Sequence, residues 1–228
     1  MLSALLIAML TAITVWWLLI QRLKEKPWTQ QGVVPTSQET IYSSAPKVGL
    51  WLFLAVVTSL FGLFASAYMM RLHDSHGLTN WQPLDEPSVL WINTVILVLA
   101  SGAMQIARNR ADRDEFNGLR GYMLGAAALT VAFLVGQVLA WEQLHASGSY
   151  GPGNPAYAFF ILLTAVHGLH LVGGLFVVAR TTARVWRGMA KLNVVGRSRI
   201  RQSVQLCTVY WHWLLLIWLG LFALLLST

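Results

Sequence analysis

Six long apolar stretches alternate with polar segments along the chain, and none of the six contains Asp, Glu, Lys or Arg. A helix needs about 20 apolar residues to cross a bilayer, whereas the strands of a membrane barrel are shorter and alternate apolar with polar positions. The pattern therefore predicts an all-α integral membrane protein with six transmembrane helices, at residues 2–20, 48–70, 89–107, 122–141, 157–179 and 207–226.

The composition agrees with membrane embedding. Hydrophobic residues make up 56% of the chain and charged residues 11%, whereas soluble domains carry about 25% charged residues. This difference excludes an ordinary soluble enzyme and a disordered chain. The single cysteine, Cys207, excludes a disulfide scaffold and any metal site built from several cysteines.

The basic residues indicate the orientation of the predicted helices. Of the 16 Lys and Arg residues, 15 lie in the first, third and fifth loops between the predicted spans. The positive-inside rule assigns these loops to the cytoplasm, which places both termini on the outer side of a bacterial-type inner membrane. Orientation and contact with anionic lipid then explain the net charge of +7, so we expect no nucleic-acid partner.

A polar, proline-containing segment separates the first span from the other five. It predicts an N-terminal transmembrane helix at residues 1–22, a cytoplasmic linker at 23–46 and a five-helix bundle at 47–228. A cleavable signal peptide carries basic residues before its apolar part, whereas here they follow it. We therefore expect a retained helix, whose inner end offers three candidate ligands for lipid headgroups: Arg22, Lys24 and Lys26.

Three histidines lie within the predicted spans. His167 and His170 are three residues apart and share one face of the fifth span, and His212 lies in the sixth. We expect neutral imidazoles that form interhelical hydrogen bonds, with Gln137 and Asn93 as partners. A haem b held by two imidazoles on facing helices is the alternative, and a proton relay would need carboxylates, which the spans lack. We predict no catalytic, cofactor-binding or metal site in this chain.

Small and aromatic residues indicate how the helices pack and where they meet the membrane surface. Three spans carry small residues that predict a close approach to another helix: Gly62 and Ser66 in the second, Gly121 and Gly125 with the alanines at 126–128 at the start of the fourth, and Gly168, Gly173 and Gly174 in the fifth. Five tryptophans lie near predicted span ends or in aromatic clusters: Trp16, Trp17, Trp141, Trp211 and Trp213. We interpret most of them as interfacial anchors.

Five short motifs resemble subunit III of the haem-copper terminal oxidases. The segment at 165–174, with His167 and His170, resembles the HGLH-V-x-G motif of that family, and the segment at 210–218 resembles its YWHF…W motif. The segment at 49–54 is similar to its GMWLFL motif. Two short patterns of the family are also similar: its NT…S pattern to Asn93 and Thr94 with Ser101, and its Q-x-x-x-aromatic pattern to Gln137 with Trp141. The motifs occur in the family's order over about residues 47–226.

This resemblance implies a non-catalytic subunit of a proton-pumping complex that reduces oxygen to water. In the family, the haems and the haem-copper centre lie in subunit I, and the dinuclear copper, when present, lies in subunit II. Subunit III packs against subunit I, holds phospholipids in a cleft, and sustains proton uptake and the durability of turnover. The resemblance thus implies subunits I and II as partners, bound phospholipid, and no cofactor in this chain.

The chain departs from the family pattern at two acid positions and at its front end. Val56 and Val57 replace a frequent Ser-Glu pair, and Leu215 replaces an Asp in the last helix. We therefore do not assign to this chain any family role that depends on those carboxylates. One helix precedes the bundle, where many members have two. A subunit-III-like companion of a nitric oxide reductase, a dihaem membrane anchor and a stand-alone transporter are the alternatives, and both cytochrome c and quinol stay open as electron donors.

Overall fold

The computed structural model describes residues 38–78, 88–146, 154–188 and 194–226, and five long helices make up nearly all of these ranges. No strand occurs within these ranges. The helices are α1 Gln38–Leu78, α2 Val89–Asp112, α3 Phe116–Ala146, α4 Pro155–Gly188 and α5 Val194–Leu226. Each contains a segment long and apolar enough to cross a membrane. The second to sixth predicted spans are thereby confirmed as helices, and the chain is a multi-pass membrane protein.

The N-terminal predictions lie mostly outside the described residues. These are the first span, the separate N-terminal helix and the three candidate lipid ligands Arg22, Lys24 and Lys26. Helix α1 begins at Gln38, within the segment predicted as a linker, and Pro46 lies inside the helix. The six-helix count and the tether stay predictions.

Helices α2 to α5 form a closed ring. Each of these helices contacts the next along the chain, and α5 contacts α2 in turn. The turn between α2 and α3 is very short because α2 ends at Asp112 and Asp114 adopts a left-handed conformation, with φ 57°. Such a short connection makes the two helices antiparallel neighbours.

Helix α1 packs on the outside of this ring. Val57, Phe61 and Tyr68 are buried against residues of α4 and α5, among them Leu163 and Leu221. The opposite face of α1 is apolar and exposed. Because a bilayer accepts such a face without cost, α1 can remain at the edge of the bundle.

Alanines let α2 approach its neighbours closely in the C-terminal half of that helix. Ala100, Ala107 and Ala111 are fully buried together with Met104, in one cluster with residues of α3, α4 and α5. Between membrane helices, where no hydrophobic force operates, small residues allow the backbone contact that holds the helices together.

Four tryptophans link the helices through threonine hydroxyls. Trp211 Nε1 donates to Thr130 Oγ1 at 3.2 Å, and Trp218 Nε1 donates to Thr94 Oγ1 at 3.0 Å. Two further pairs have the same chemistry: Trp141 with Thr164 and Trp213 with Thr58. Each threonine in turn donates its hydroxyl proton to the backbone carbonyl four residues earlier. The hydroxyl therefore satisfies both its own helix and a neighbouring one.

These pairs revise the interpretation of the tryptophans as interfacial anchors. Trp211 is 1% exposed and lies inside the ring, so the interpretation was wrong for this residue. Its indole N–H crosses the ring from α5 to α3, whereas the indole N–H of Trp213 joins α5 to α1. The position of a tryptophan in the chain does not distinguish an anchor from a crosslink between helices.

We expect the Trp218–Thr94 pair to contribute a measurable but small coupling free energy. Trp218→Phe removes the indole N–H, and Thr94→Val removes the hydroxyl that accepts it. Hydrogen bonds between membrane helices are worth about 0.6 kcal/mol on average. A double-mutant cycle of unfolding in mixed detergent and SDS micelles should give a coupling of that size. Strictly additive effects would show that the two groups do not interact.

Candidate functional site

Three buried polar side chains lie at one level inside the ring. Asn93 on α2, Gln137 on α3 and His167 on α4 are each at most 3% exposed. Phe133 contacts His167 with ring centroids 6.0 Å apart, and Gln137 lies one turn further along α3. Trp141, another turn on, bonds to Thr164 of α4. Gln137 therefore lies beside the α4 turn that carries His167.

The polar atoms at this level have no hydrogen-bond partner among the described residues. They are the Asn93 Nδ2 atom, both amide atoms of Gln137 and both ring nitrogens of His167. We predicted hydrogen bonds among these three side chains. The structure brings the three together at one level without forming those bonds, so their roles stay predictions.

Aromatic rings enclose the imidazole of His167. Phe61 of α1, Phe133 of α3 and Trp218 of α5 lie around it, with ring centroids 5.4 to 6.4 Å from the imidazole. Phe133 and Trp218 also contact each other edge to face, at 4.9 Å. The imidazole therefore fills a closely packed position at the centre of the bundle.

His170 lies at the boundary between α4 and α1. Its Nδ1 atom is 2.7 Å from the carbonyl oxygen of Val166 on its own helix, so Nδ1 carries the proton. The ring contacts Phe53 and Phe61 of α1. The backbone carbonyl of His170 accepts a hydrogen bond from the Tyr210 hydroxyl at 2.9 Å. This residue therefore contributes to the contacts of α4 with both α1 and α5.

His212 does not meet His167 or His170. It lies on the other side of α5, where Nδ1 contacts the Ser101 hydroxyl and Nε2 is 2.9 Å from Gln105 Oε1. Gln105 Nε2 in turn donates to Asn109 Oδ1 at 3.0 Å. We call these four residues, Ser101, His212, Gln105 and Asn109, the surface chain.

Sequence reasoning missed these partners of His212. Ser101 and Gln105 are four residues apart on one face of α2, which was the available signal. The haem alternative required His212 to face His167 or His170. The structure places His167 in the interior of the ring, among aromatic side chains. His212 instead lies on an exposed face, where it contacts α2.

Ionic and polar contacts join the C-terminal end of α2 to the N-terminal part of α5. Arg201 Nη2 lies 2.8 Å from Asp114 Oδ1, and Gln205 Nε2 donates to Asp112 Oδ1 at 2.8 Å. Arg201 also donates to the carbonyl of Ala111. Because these side chains are substantially exposed, the ion pair adds little stability and serves mainly to align the helix ends.

None of the described residues forms a group of three or more His, Cys, Asp or Glu side chains that could hold a metal ion. The polar side chains instead divide into the buried level and the surface chain. Both sets offer amides and an imidazole, and the surface chain adds the Ser101 hydroxyl; such groups form hydrogen bonds without introducing a charge into the membrane.

Curated relatives cover most of the chain. It is 29% identical over 184 residues to cytochrome c oxidase subunit 3 of Thermostichus vulcanus, with 78% of this chain and 85% of the relative covered. It is 28% identical over 168 residues to a probable cytochrome c oxidase subunit 3 of Mycobacterium tuberculosis, with 71% and 76% covered. No family model matches the chain.

The chain is homologous to the subunit III family. A third relative, cytochrome bo(3) ubiquinol oxidase subunit 3 of Pseudomonas aeruginosa, is 26% identical over 176 residues, with 76% of this chain and 80% of the relative covered. The resemblance drawn from the short motifs is thereby confirmed. The relatives of this subunit III homologue include subunits of cytochrome c oxidases and of a quinol oxidase. Both kinds of oxidase are oxidoreductase complexes.

Proposed function

We propose that the chain is a non-catalytic subunit III of a proton-pumping haem-copper terminal oxidase. In this role it stabilises subunit I, binds phospholipid and supports proton uptake during the reduction of oxygen to water. The observation that carries the proposal is the likeness to oxidase subunits III, which spans 76 to 85% of the length of the three relatives. A match of that extent covers most of a subunit and not one short shared segment.

The positions of the three histidines support a structural role. His167 is packed between aromatic rings, His170 bonds to its own helix, and His212 bonds to two side chains of α2. Each ring therefore contributes to contacts within or between helices. In this proposal, the haems and copper of the complex belong to subunits I and II, and this chain supplies packing surface.

The exposed face of α1 supports lipid binding. Trp51, Leu52 and Leu63 are among its exposed side chains, and acyl chains match such a surface. We propose that phospholipid acyl chains cover this face, and that Arg22, Lys24 and Lys26 bind anionic headgroups. The basic loops then lie in the cytoplasm and both termini on the outer side of the inner membrane.

The two missing acids limit how the subunit supports proton uptake. Val57, at the position of a frequent Glu, is buried against α4 and α5, and Leu215 packs against a cluster of buried apolar side chains that includes Trp218. Neither side chain can exchange a proton. Support for proton uptake must therefore be indirect, through the structure and the lipid surroundings of the partner subunit.

Removal of this subunit from the native complex should leave the initial turnover of oxygen largely unchanged and shorten the active lifetime. The reason is that the subunit carries packing surface and no reacting group. The measurement is oxygen consumption per haem over time, for the intact complex and for a complex from a strain that lacks the subunit. A stripped core that keeps its haems and has no initial activity would contradict the supporting role.

Copurification with nitric oxide reductase would favour the companion role in that enzyme.

A further inference from the structure

Gln137 lies between two contacts that join α3 to α4. One turn before it, the ring centroid of Phe133 lies 6.0 Å from that of His167. One turn after it, Trp141 donates to Thr164 at 3.0 Å. Residues four apart share one face of a helix, so the side chain of Gln137 projects from the face of α3 that packs on α4. Its amide and the imidazole of His167 therefore belong to the same interface.

Four polar atoms at the α3–α4 interface have no hydrogen-bond partner in the part of the chain that the structure describes. They are both amide atoms of Gln137 and both ring nitrogens of His167. The two side chains are 3% and 0% exposed, so bulk solvent does not reach them. An unpaired polar atom is costly inside a membrane bundle, and nearly all buried polar atoms in proteins bond to other protein groups or to an ordered water molecule.

Protein groups of this interface cannot satisfy all four atoms. The hydroxyl of Thr164 accepts the indole N–H of Trp141 and donates its own proton to the carbonyl of Phe160, so it has no second proton to give. A direct bond between Gln137 and His167 would use one atom of each side chain. It would leave the other amide atom and the other ring nitrogen unpaired.

Asn93 lies on a different side of α3. Its amide is in contact with the backbone at Gly136, where an added Cβ atom would overlap it. Successive residues of a helix point about 100° apart, so Gln137 is turned away from α2 and toward α4. The four unpaired atoms therefore form a set that belongs to α3 and α4.

Buried apolar side chains flank this set in both directions along the helices. Ala140 and Phe160 lie toward the ends of α3 and α4 that the chain connects, and Phe133 and Leu171 lie toward the opposite ends. Each of the four is at most 2% exposed. A lipid headgroup cannot be enclosed in this way, because its acyl chains must extend into the bilayer. Water is small enough to be enclosed, and buried water molecules bind where polar atoms would otherwise be unpaired.

We propose that α3 and α4 enclose a bound water molecule between the amide of Gln137 and the imidazole of His167. A water molecule in such a site makes about three hydrogen bonds, so it can donate to one side chain and accept from the other. The hydrogen bonds that the sequence predicts between these helices then run through water and not directly from side chain to side chain. The site belongs to the bundle itself and does not depend on which complex contains the chain.

Hydroxyl-radical labelling of the native complex tests for this water. A brief X-ray pulse converts water into hydroxyl radicals, which oxidise side chains close to where they form, so a buried side chain is oxidised when bound water lies beside it. Trp218 is the reporter, because its ring centroid lies 5.4 Å from that of His167. Trp211 is the matched control. Both tryptophans are on α5, are at most 1% exposed and donate to a threonine.

We expect mass spectrometry of the labelled peptides to show several-fold more oxidation at Trp218 than at Trp211. Equal oxidation of the two tryptophans would overturn the proposal. Equally low values would indicate a dry interface, and equally high values would indicate water throughout the bundle and no specific site. This comparison needs no altered protein, and either result leaves the proposed function as it stands.

Substitution of Gln137 tests whether its amide holds the water. Gln137→Leu keeps a similar side-chain volume and removes the amide, and Gln143→Leu is the control at an exposed glutamine of α3. Oxidation of Trp218 should fall to the level of Trp211 in the Gln137 variant and stay unchanged in the control. Slow labelling of the buried Cys207 thiol verifies that each variant is folded. A folded Gln137 variant with undiminished oxidation of Trp218 would overturn the proposed site.

The stability of the Gln137 variant gives an independent measurement. If the amide bonds to water, leucine removes those bonds and leaves His167 without its bridge, so the bundle should open at a lower SDS concentration than in the unaltered chain. If the amide had no partner at all, removal of a buried unpaired polar group would stabilise the bundle. A variant that resists SDS as well as the unaltered chain, or better, would therefore overturn the proposal.

Discussion

Replacement of Gly136 by alanine is expected to destabilise the bundle by about 2–3 kcal/mol. A Cβ atom at this position would overlap the side-chain amide of Asn93. Asn93 is 1% exposed, so its side chain can move aside only by displacing the side chains packed around it. Otherwise the two helices would have to separate, and the loss of contact would extend along the interface.

The chain offers a matched control and a sensor for this experiment. Gly125 lies on the same helix, and a Cβ atom added there would have no heavy atom within 4 Å, so Gly125→Ala should be neutral or stabilising by up to about 1 kcal/mol. Cys207 is the single cysteine and is buried. The rate at which its thiol reacts with a maleimide, measured along a series of SDS concentrations, reports the opening of the bundle.

A second substitution distinguishes steric overlap from other effects. Asn93→Ala removes the amide that the new Cβ would meet, so the double variant should recover much of the lost stability. Asn93 Nδ2 has no partner among the described residues, so truncation of this side chain sacrifices no hydrogen bond from that atom. Equal destabilisation by the alanines at 125 and 136, or no recovery in the double variant, would contradict this mechanism.

Hydropathy correctly predicted the five helices after the first span but underestimated their lengths. The predicted fifth and sixth spans cover 157–179 and 207–226, whereas α4 is Pro155–Gly188 and α5 is Val194–Leu226. The additional turns carry arginines such as Arg199 and Arg201. Hydropathy detects the part of a helix that crosses the lipid and cannot detect a helix that continues into water with a polar sequence.

The neighbours of each helix could not be predicted from the sequence. Helix α5 lies between α2 and α4, so a polar residue on it can face either. Tyr210 bonds to His170 on α4, whereas His212, two residues later, bonds to Ser101 on α2. A rotation of α5 by half a turn would exchange these partners. Hydrophobic periodicity does not determine that rotation when the entire helix is apolar.

The sequence also could not predict which glycines lie against a neighbouring helix. The prediction of close packing in the fifth span holds at Gly174, where a Cβ would lie 2.8 Å from the Tyr210 ring and 3.1 Å from the Trp211 ring. It was wrong at Gly173, and also at the predicted packing positions Gly62, Gly121 and Gly125, where no heavy atom lies within 4 Å of an added Cβ. The tightest position, Gly136, has no second glycine at a spacing of four. A motif of small residues therefore identifies candidates, and the facing side chains decide which of them are packed.

Replacement of Trp211 by alanine is expected to cost about 3 kcal/mol or more. The ring is 1% exposed, packs against Gly174 and donates its N–H to Thr130 across the ring of helices. Alanine would leave a cavity that the helices cannot close without breaking the α3–α5 link. Trp51→Ala is the control, because that tryptophan is 64% exposed on α1 and should cost well under 1 kcal/mol, as surface substitutions usually do.

The comparison is best measured by protease resistance along an SDS series, because Cys207 lies one turn from Trp211 and would report local changes. The free energy of unfolding follows from the fraction of chain that survives a brief pulse of protease. Trp211→Phe should recover most of the packing and lose only the hydrogen bond, about 0.6 kcal/mol. If Trp211→Ala cost no more than Trp51→Ala, both residues would behave as interfacial anchors, and the crosslink between α5 and α3 would not contribute to stability.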